Sequence, residues 1–166
     1  MRVFLALVML LFSFDAHSHD LKQLPPIDQA GVTHDQVFSW LPLAVTEAMS
    51  FSFNDFEGRL KKASRHFTDD GYQSFRKALD RSRILEMVEV NKQVVRMVSA
   101  SAPILIKEGV VQGVYEWTIE MPVVVTYFAG DKQRSDRLRL VLVVKRSNES
   151  QNEMGFGIRQ WVAYKR

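Results

Sequence analysis

Four histidines, His17, His19, His34 and His66, are the residues that could hold a metal or shuttle a proton. None stands at ligand spacing from a second histidine or acid on a shared helix face, so no metal site is expected. A chain starting at His17 would offer Cu(II) its amine and His19. That start would require Phe14 where signal cleavage needs a small residue. Glu116 and Glu120 share one strand face about 13 Å apart, too far for a shared proton or a glycosidase couple, and are read as solvated. Asp55, Asp69 and Asp70 lack a Tyr, His or Asp partner at diagnostic spacing. The chain has no cysteine, which excludes thiolate catalysis, disulfides and an acylated lipobox. Gly155-Phe156-Gly157 lacks a third glycine and precedes a strand, so no nucleotide loop is expected. The sequence predicts no catalytic residue, no cofactor and no enzyme.

The elements that would position any site begin at Thr33. Thr33 with Gln36 forms a capping box, and Val37, Leu41, Ala44 and Ala48 recur at helical spacing. Pro42 allows two readings: a helix from Ser39 with Pro42 in its first turn, or a helix from Thr33 kinked at Pro42. Asn54 or Asp55 can cap a short second helix to about Ser64. A third starts at Thr68, with Asp69 and Asp70 suiting its positive end and Phe67 stapling onto Tyr72. It should end near Arg81 or Arg83. Ile84–Glu89 reads equally as helix extension or sheet lead-in.

From Gln93 the composition turns β-branched. Residues 94–108 read as one long strand bent at Pro103, at an edge or bulge. Along 114–127, Tyr115, Trp117, Ile119 and Met121 alternate with Val114, Glu116, Thr118 and Glu120, giving one buried face. Pro122 is expected to mark a bulge that shifts the alternation. A third strand spans 136–145, Ser147–Glu153 is a polar hairpin tip, and the last strand covers 156–164. Three helices followed by four antiparallel strands predict an α+β domain, with helices on one face of a curved four-stranded sheet, compatible with a cystatin-like or NTF2-like cone.

The run from Phe67-Thr68-Asp69-Asp70-Gly71-Tyr72, through Pro103-Ile104-Leu105, Glu108-Gly109-Val110 and Gly113-Val114-Tyr115-Glu116-Trp117, to Met121-Pro122 resembles the periplasmic domain of the IcmL/DotI proteins of type IVB secretion systems. The conjugation relatives of that family are TraM-type transfer proteins, and the resemblance runs from about Thr33 to Val162. It implies the NTF2-like version of the cone, similar to VirB8-class periplasmic domains, and favours the helix start at Thr33. It implies structural roles for Phe67, Thr68, Asp70, Gly71, Tyr72, Pro103, Gly109, Gly113, Trp117 and Pro122. It also implies assembly rather than turnover, with ring-like oligomers beneath an export channel.

The leader departs from that pattern. Met1-Arg2, the apolar run Val3–Phe14 and the small residues Ala16-His17-Ser18 read as a secretory signal cleaved between Ser18 and His19. As a helix the run spans about 18 Å, short of a bilayer core of about 30 Å. The expected organisation is a signal peptide over 1–18, an extended mobile leader over 19–32 and one domain over 33–166. The expected location is the periplasm, with inner-membrane anchoring if the leader is retained, or secretion, as alternatives. The net charge of +3 is carried by cations scattered among acids, so no nucleic-acid partner is expected. The expected partners are secretion-system envelope proteins or further copies of the chain. Trp161 and Tyr164, near the end of the last strand, are the candidate interface aromatics. A different class of function stays open: an exported NTF2-like domain that binds a small molecule or transfers a proton in an apolar pocket.

Overall fold

The protein's structure, a computed structural model, describes residues 25–148 and 154–165. The expected signal peptide, the leader over 19–24 and most of the hairpin tip over 149–153 lie outside the described residues. Thr33 caps α1 (His34–Ala48) through the expected capping box, its side chain accepting from the Gln36 amide. Pro42 sits inside this single helix, so the start at Thr33 is the correct one of the two. After the two-residue β1 (Phe51–Ser52) comes α2 (Phe56–Ala63). Asp55 stands at the N-cap of α2 but makes no cap bond. Its carboxylate instead accepts from the Ser52 amide at 2.7 Å and the Ser52 hydroxyl at 2.8 Å, closing the turn that precedes the helix. That backbone hydrogen bond holds the Asp55 carboxyl below its ordinary range.

A 3-10 turn (Ser64–His66) leads into α3 (Asp69–Arg81), capped by Thr68 as expected and stapled by Phe67 against Tyr72, ring centroids 5.9 Å apart. The ambiguous stretch is a fourth helix, α4 (Ile84–Val90), which buries Leu85 and Val88. The helix count therefore exceeds the expected three.

Among the described residues six strands form one sheet, ordered β1-β2-β4-β5-β6 with β3 also on β4, all antiparallel. The expected single strand bent at Pro103 is divided into β2 (Val94–Ser99) and β3 (Ile104–Val111), which pair with successive halves of β4 (Val114–Ala129). β5 (Lys132–Arg146) and β6 (Phe156–Lys165) complete the sheet. Trp117, Ile119, Met121, Val123, Val125 and Tyr127 of β4 are all buried, on the face covered by the helices.

No bulge occurs at Pro122, which pairs in unbroken register with Arg139; the core-facing residues keep their alternation through it, and Pro122 is itself buried on the other face. The Pro122 carbonyl accepts from the Ala100 amide, so this residue's polar groups face the β2–β3 side, where the partner chain leaves the ladder. The missing N–H therefore costs no ladder bond. The register shifts lie between Leu105 and Lys107 in β3 and opposite Val143/Val144 in β6.

Candidate functional site

The family-motif residues converge where α3 meets β6. The Thr68 amide donates to the Ile158 carbonyl at 3.0 Å, and its hydroxyl donates to Asp70 at 2.6 Å. That hydroxyl bond holds the Asp70 carboxyl below its ordinary range against the opposing effect of partial burial. A Cβ on Gly71 would lie 2.1 Å from the Ile158 carbonyl oxygen, and one on Gly157 would lie 2.9 Å from the Phe67 carbonyl carbon. Two glycines thus let helix and strand backbones touch. Phe67, Phe75 and Trp161 stack beneath, with centroids 4.9 Å (Phe67–Phe75) and 5.0 Å (Phe75–Trp161) apart.

Two charged clusters tie helices to one another and to the sheet. Glu47 of α1 meets His66 at 2.5 Å and Arg65 at 2.6 Å. Burial pushes the Glu47 carboxyl up, but the hydrogen bonds from His66 and Arg65 outweigh it and leave the group below its ordinary value. His34, at the start of α1, meets Glu108 of β3 at 2.8 Å. Among the described residues no group of three or more His, Cys, Asp or Glu is arranged to hold a metal ion.

Residues 25–32, expected to be part of a mobile leader, lie against the domain. Arg146 is 1 % exposed and donates through Nη2 to the Pro25 carbonyl and through Nη1 to the Met154 carbonyl, each at 2.9 Å. Burial pushes its guanidinium pKa down. The Tyr115 amide donates to the Ile27 carbonyl at 2.7 Å, and Ala30 and Val32 pack on the core. Arg146 had no sequence signal for this role, because its partners are backbone carbonyls far along the chain.

A cavity of about 300 Å³ lies between α3 and the sheet, lined by Phe75, Leu79, Met97, Tyr127, Leu138 and Trp161 among others. Its ionisable lining group is the Tyr127 phenol, which burial pushes up.

The opposite face of the sheet carries Glu116 and Glu120. Both were expected to be solvated, but their side chains are only 14 % and 20 % exposed and face Arg159 and Arg139 at 3.6 Å each. Strand pairing, invisible in one sequence, brings those arginines alongside. Register places Arg96, Lys107, Arg137 and Lys145 on this same face.

Of the remaining expected site residues, Ser18 and His19 lie outside the described residues. Pro103 precedes β3, Gly109 pairs with Glu116, and Gly113 (φ 81°) follows Gln112 (φ 50°) in the two-residue β3–β4 turn, whose positive φ at both central positions matches a type I′ geometry. Trp117 is fully buried. Trp161 and Tyr164 fall on opposite faces of β6: Trp161 is half-buried under α3, while Tyr164 is 46 % exposed beside Arg139.

No helix among the described residues is long and apolar enough to cross a membrane. A search of curated proteins gave no match. Among solved structures, the chain is similar to the periplasmic domain of DotI, with 29 % identity and a TM-score of 0.77, covering 81 % of this chain and 97 % of that one. It is similar in fold to a periplasmic fragment of TraM, at 20 % identity and TM-score 0.73, over 81 % and 98 % of the two chains. It also resembles an IcmL-like type IV secretion system protein from Legionella pneumophila subsp. pneumophila str. Philadelphia 1, at 22 % identity and TM-score 0.72, over 81 % and 94 %. The fold is therefore NTF2-like, as in these proteins. The family described as "Type-IV b secretion system, inner-membrane complex component" matches residues 13–165, and the chain belongs to this DotI/IcmL family.

Proposed function

We propose that this chain is an exported, non-catalytic protein-binding component or accessory of a type IVB secretion or conjugation apparatus, working on the periplasmic side of the inner membrane. The observation that carries the reading is the likeness to the DotI periplasmic domain, which covers 97 % of that domain at 29 % identity. Further support comes from how the conspicuous acids are used: Glu47, Asp70, Glu116 and Glu120 each face a cation. Such pairing ties elements of the fold together. Affinity purification of a tagged copy from cells that make the apparatus, followed by sizing, tests the proposal. Recovery of envelope subunits in a complex much larger than 19 kDa is expected. A strictly monomeric protein that recovers no secretion subunit would overturn it.

The cavity beneath α3 favours a second reading, an exported domain that binds a small apolar molecule there. Its lining offers a phenol and no carboxylate or imidazole, so the cavity suits binding better than proton transfer. Quenching of Trp161 fluorescence by an apolar dye, lost on filling the cavity with Ala78→Phe, would favour it. An unchanged spectrum would count against it.

A further inference from the structure

The sheet face turned away from the helices holds about twice as many cations as acids, a local excess that the scattered sequence positions conceal. Register puts Arg96 of β2, Lys107 of β3, Arg137, Arg139 and Lys145 of β5 on it, and Arg159 joins them through its contact with Glu116. Against these six cations stand three carboxylates: Glu116 and Glu120, each faced by an arginine, and Asp70 of α3, which meets Lys145 at 3.8 Å. Arg96 and Arg137 are exposed and make no ion pair among the described residues. Between the cations runs apolar surface: Val98 (52 % exposed), Ile104 (51 %) and Tyr164 (46 %), with Val124, Val141 and Val162 half-covered between them.

The border of this face is β3, whose only partner strand is β4, so its other edge is free among the described residues. Four of the nine exposed large apolar side chains among those residues, Ile104, Ile106, Val110 and Val111, lie on this one strand. Edge strands of freely soluble proteins are commonly blunted by charge or proline, and β3 is defended only by a bulge and Lys107-Glu108. Beside the edge, a groove of about 300 Å³ runs between Lys107, Val111, Glu116, Val143 and Arg159.

We propose that this face, bordered by β3, is a docking surface for an acidic protein partner: an extended or helical segment alternating carboxylates with aliphatic side chains. Charge decides the occupant. A second copy docked face to face would set six cations against six, so this surface does not serve self-association through that contact. An acidic segment would meet Arg96, which lies over the Phe128 ring, and Arg137 and Lys107, none of which makes an ion pair among the described residues, while its aliphatic side chains cover Val98, Ile104 and Val141. The inference deepens the proposed function by naming the surface and the partner's chemistry, and rests on that reading.

The test uses the purified protein, isotope-labelled, and two decapeptides, one alternating Glu and Val, the other Lys and Val. The Glu-Val peptide is expected to shift amide resonances along β3 and the facing positions of β2, β4 and β5. Its affinity should fall several-fold as salt rises from about 50 to 500 mM, because the contact is solvent-accessible. Arg96→Glu/Arg137→Glu should weaken it about tenfold or more. Lys61→Glu/Lys77→Glu, with the same charge change on exposed helix positions, should not. Should the first double variant fold poorly, Arg96→Gln/Arg137→Gln gives the same direction with a smaller loss. Equal response to both peptides, or shifts confined to the α3 cavity, would overturn the inference. A response to a single-stranded oligonucleotide of equal charge as strong as that to the Glu-Val peptide would assign the face to polyanions and likewise overturn it. Any of these results, with secretion subunits still recovered on purification, removes this docking surface and leaves the proposed function standing.

Discussion

Replacing Gly71 by alanine tests the α3–β6 junction most sharply. Alanine in a helix interior is favoured over glycine by about 1 kcal/mol, so propensity alone predicts a gain. The structure predicts the opposite. The added Cβ would sit 2.1 Å from the Ile158 carbonyl oxygen and 2.9 Å from the Arg159 Cα, both backbone atoms that no rotamer change can move. The first turn of α3 must therefore retreat by about 1 Å to restore van der Waals contact. That retreat strains the packing of Phe67 and Phe75 on Trp161, at about 1–3 kcal/mol for an overpacked core. It also stretches the 3.0 Å bond from the Thr68 amide to Ile158, where an unsatisfied buried donor costs about 1–3 kcal/mol. Net of the propensity gain, Gly71→Ala should destabilise by about 1–5 kcal/mol, read as a lower urea midpoint in tryptophan fluorescence. Gly58→Ala is the control: that glycine lies within α2, and a Cβ added there would meet nothing within 4 Å, so the substitution should stabilise by about 0.5–1 kcal/mol. A Gly71→Ala protein as stable as Gly58→Ala, or more stable than wild type, would refute the close helix–strand contact.

Four further outcomes are expected. Arg146→Ala should release residues 25–32, seen as faster hydrogen exchange at the Tyr115 amide, whereas Arg159→Ala should leave that amide protected. Gly113→Ala, which forces a side chain into a positive-φ turn position, should cost about 1–2 kcal/mol in a denaturant titration; no change would contradict the turn assignment. Glu47, Asp55 and Asp70 have folded-state pKa values below their ordinary ones, so their stabilisation is complete above about pH 4.5 and fades as pH falls through the lowered values. Urea midpoints should thus hold from pH 7 to about 5 and drop below that, more shallowly in Glu47→Gln, and an identical slope in that variant would refute the assignment. Intact-mass measurement of the exported protein should give a chain beginning at His19, and a mass including Met1 would show that the leader is retained.

Local signals in the sequence were enough for the elements that start or alternate by short-range rules. Thr33 with Gln36, Thr68 with Phe67 and Tyr72, and the alternation from Tyr115 to Met121 all depend on neighbours within a few residues, and each is realised as read. The failures are long-range. The start of α4 follows Arg83 in a left-handed conformation, a residue type with no particular preference for it, so a short apolar run could not be separated from a strand. Pro122 keeps its register because its missing donor faces the gap between β2 and β3, and that gap exists only once both strands are laid on β4. Glu116 and Glu120 looked solvated because Arg159 and Arg139 arrive from other strands. The basic sheet face was half-legible: Arg137 and Arg139 alternate with the core-facing Leu138 and Leu140 along one strand, but Arg96 and Lys107 join them only through pairing.

Whether this domain works by adhesion can be read by photocrosslinking in cells that make the apparatus. A photoreactive residue at Val98, on the basic sheet face, should form an adduct with another secretion-system subunit, and Arg137→Glu should suppress it. The same residue at Leu43, exposed on the helical side, serves as the comparison. Adducts at neither position, in cells whose apparatus is assembled, would show that this domain does not adhere to secretion-system subunits.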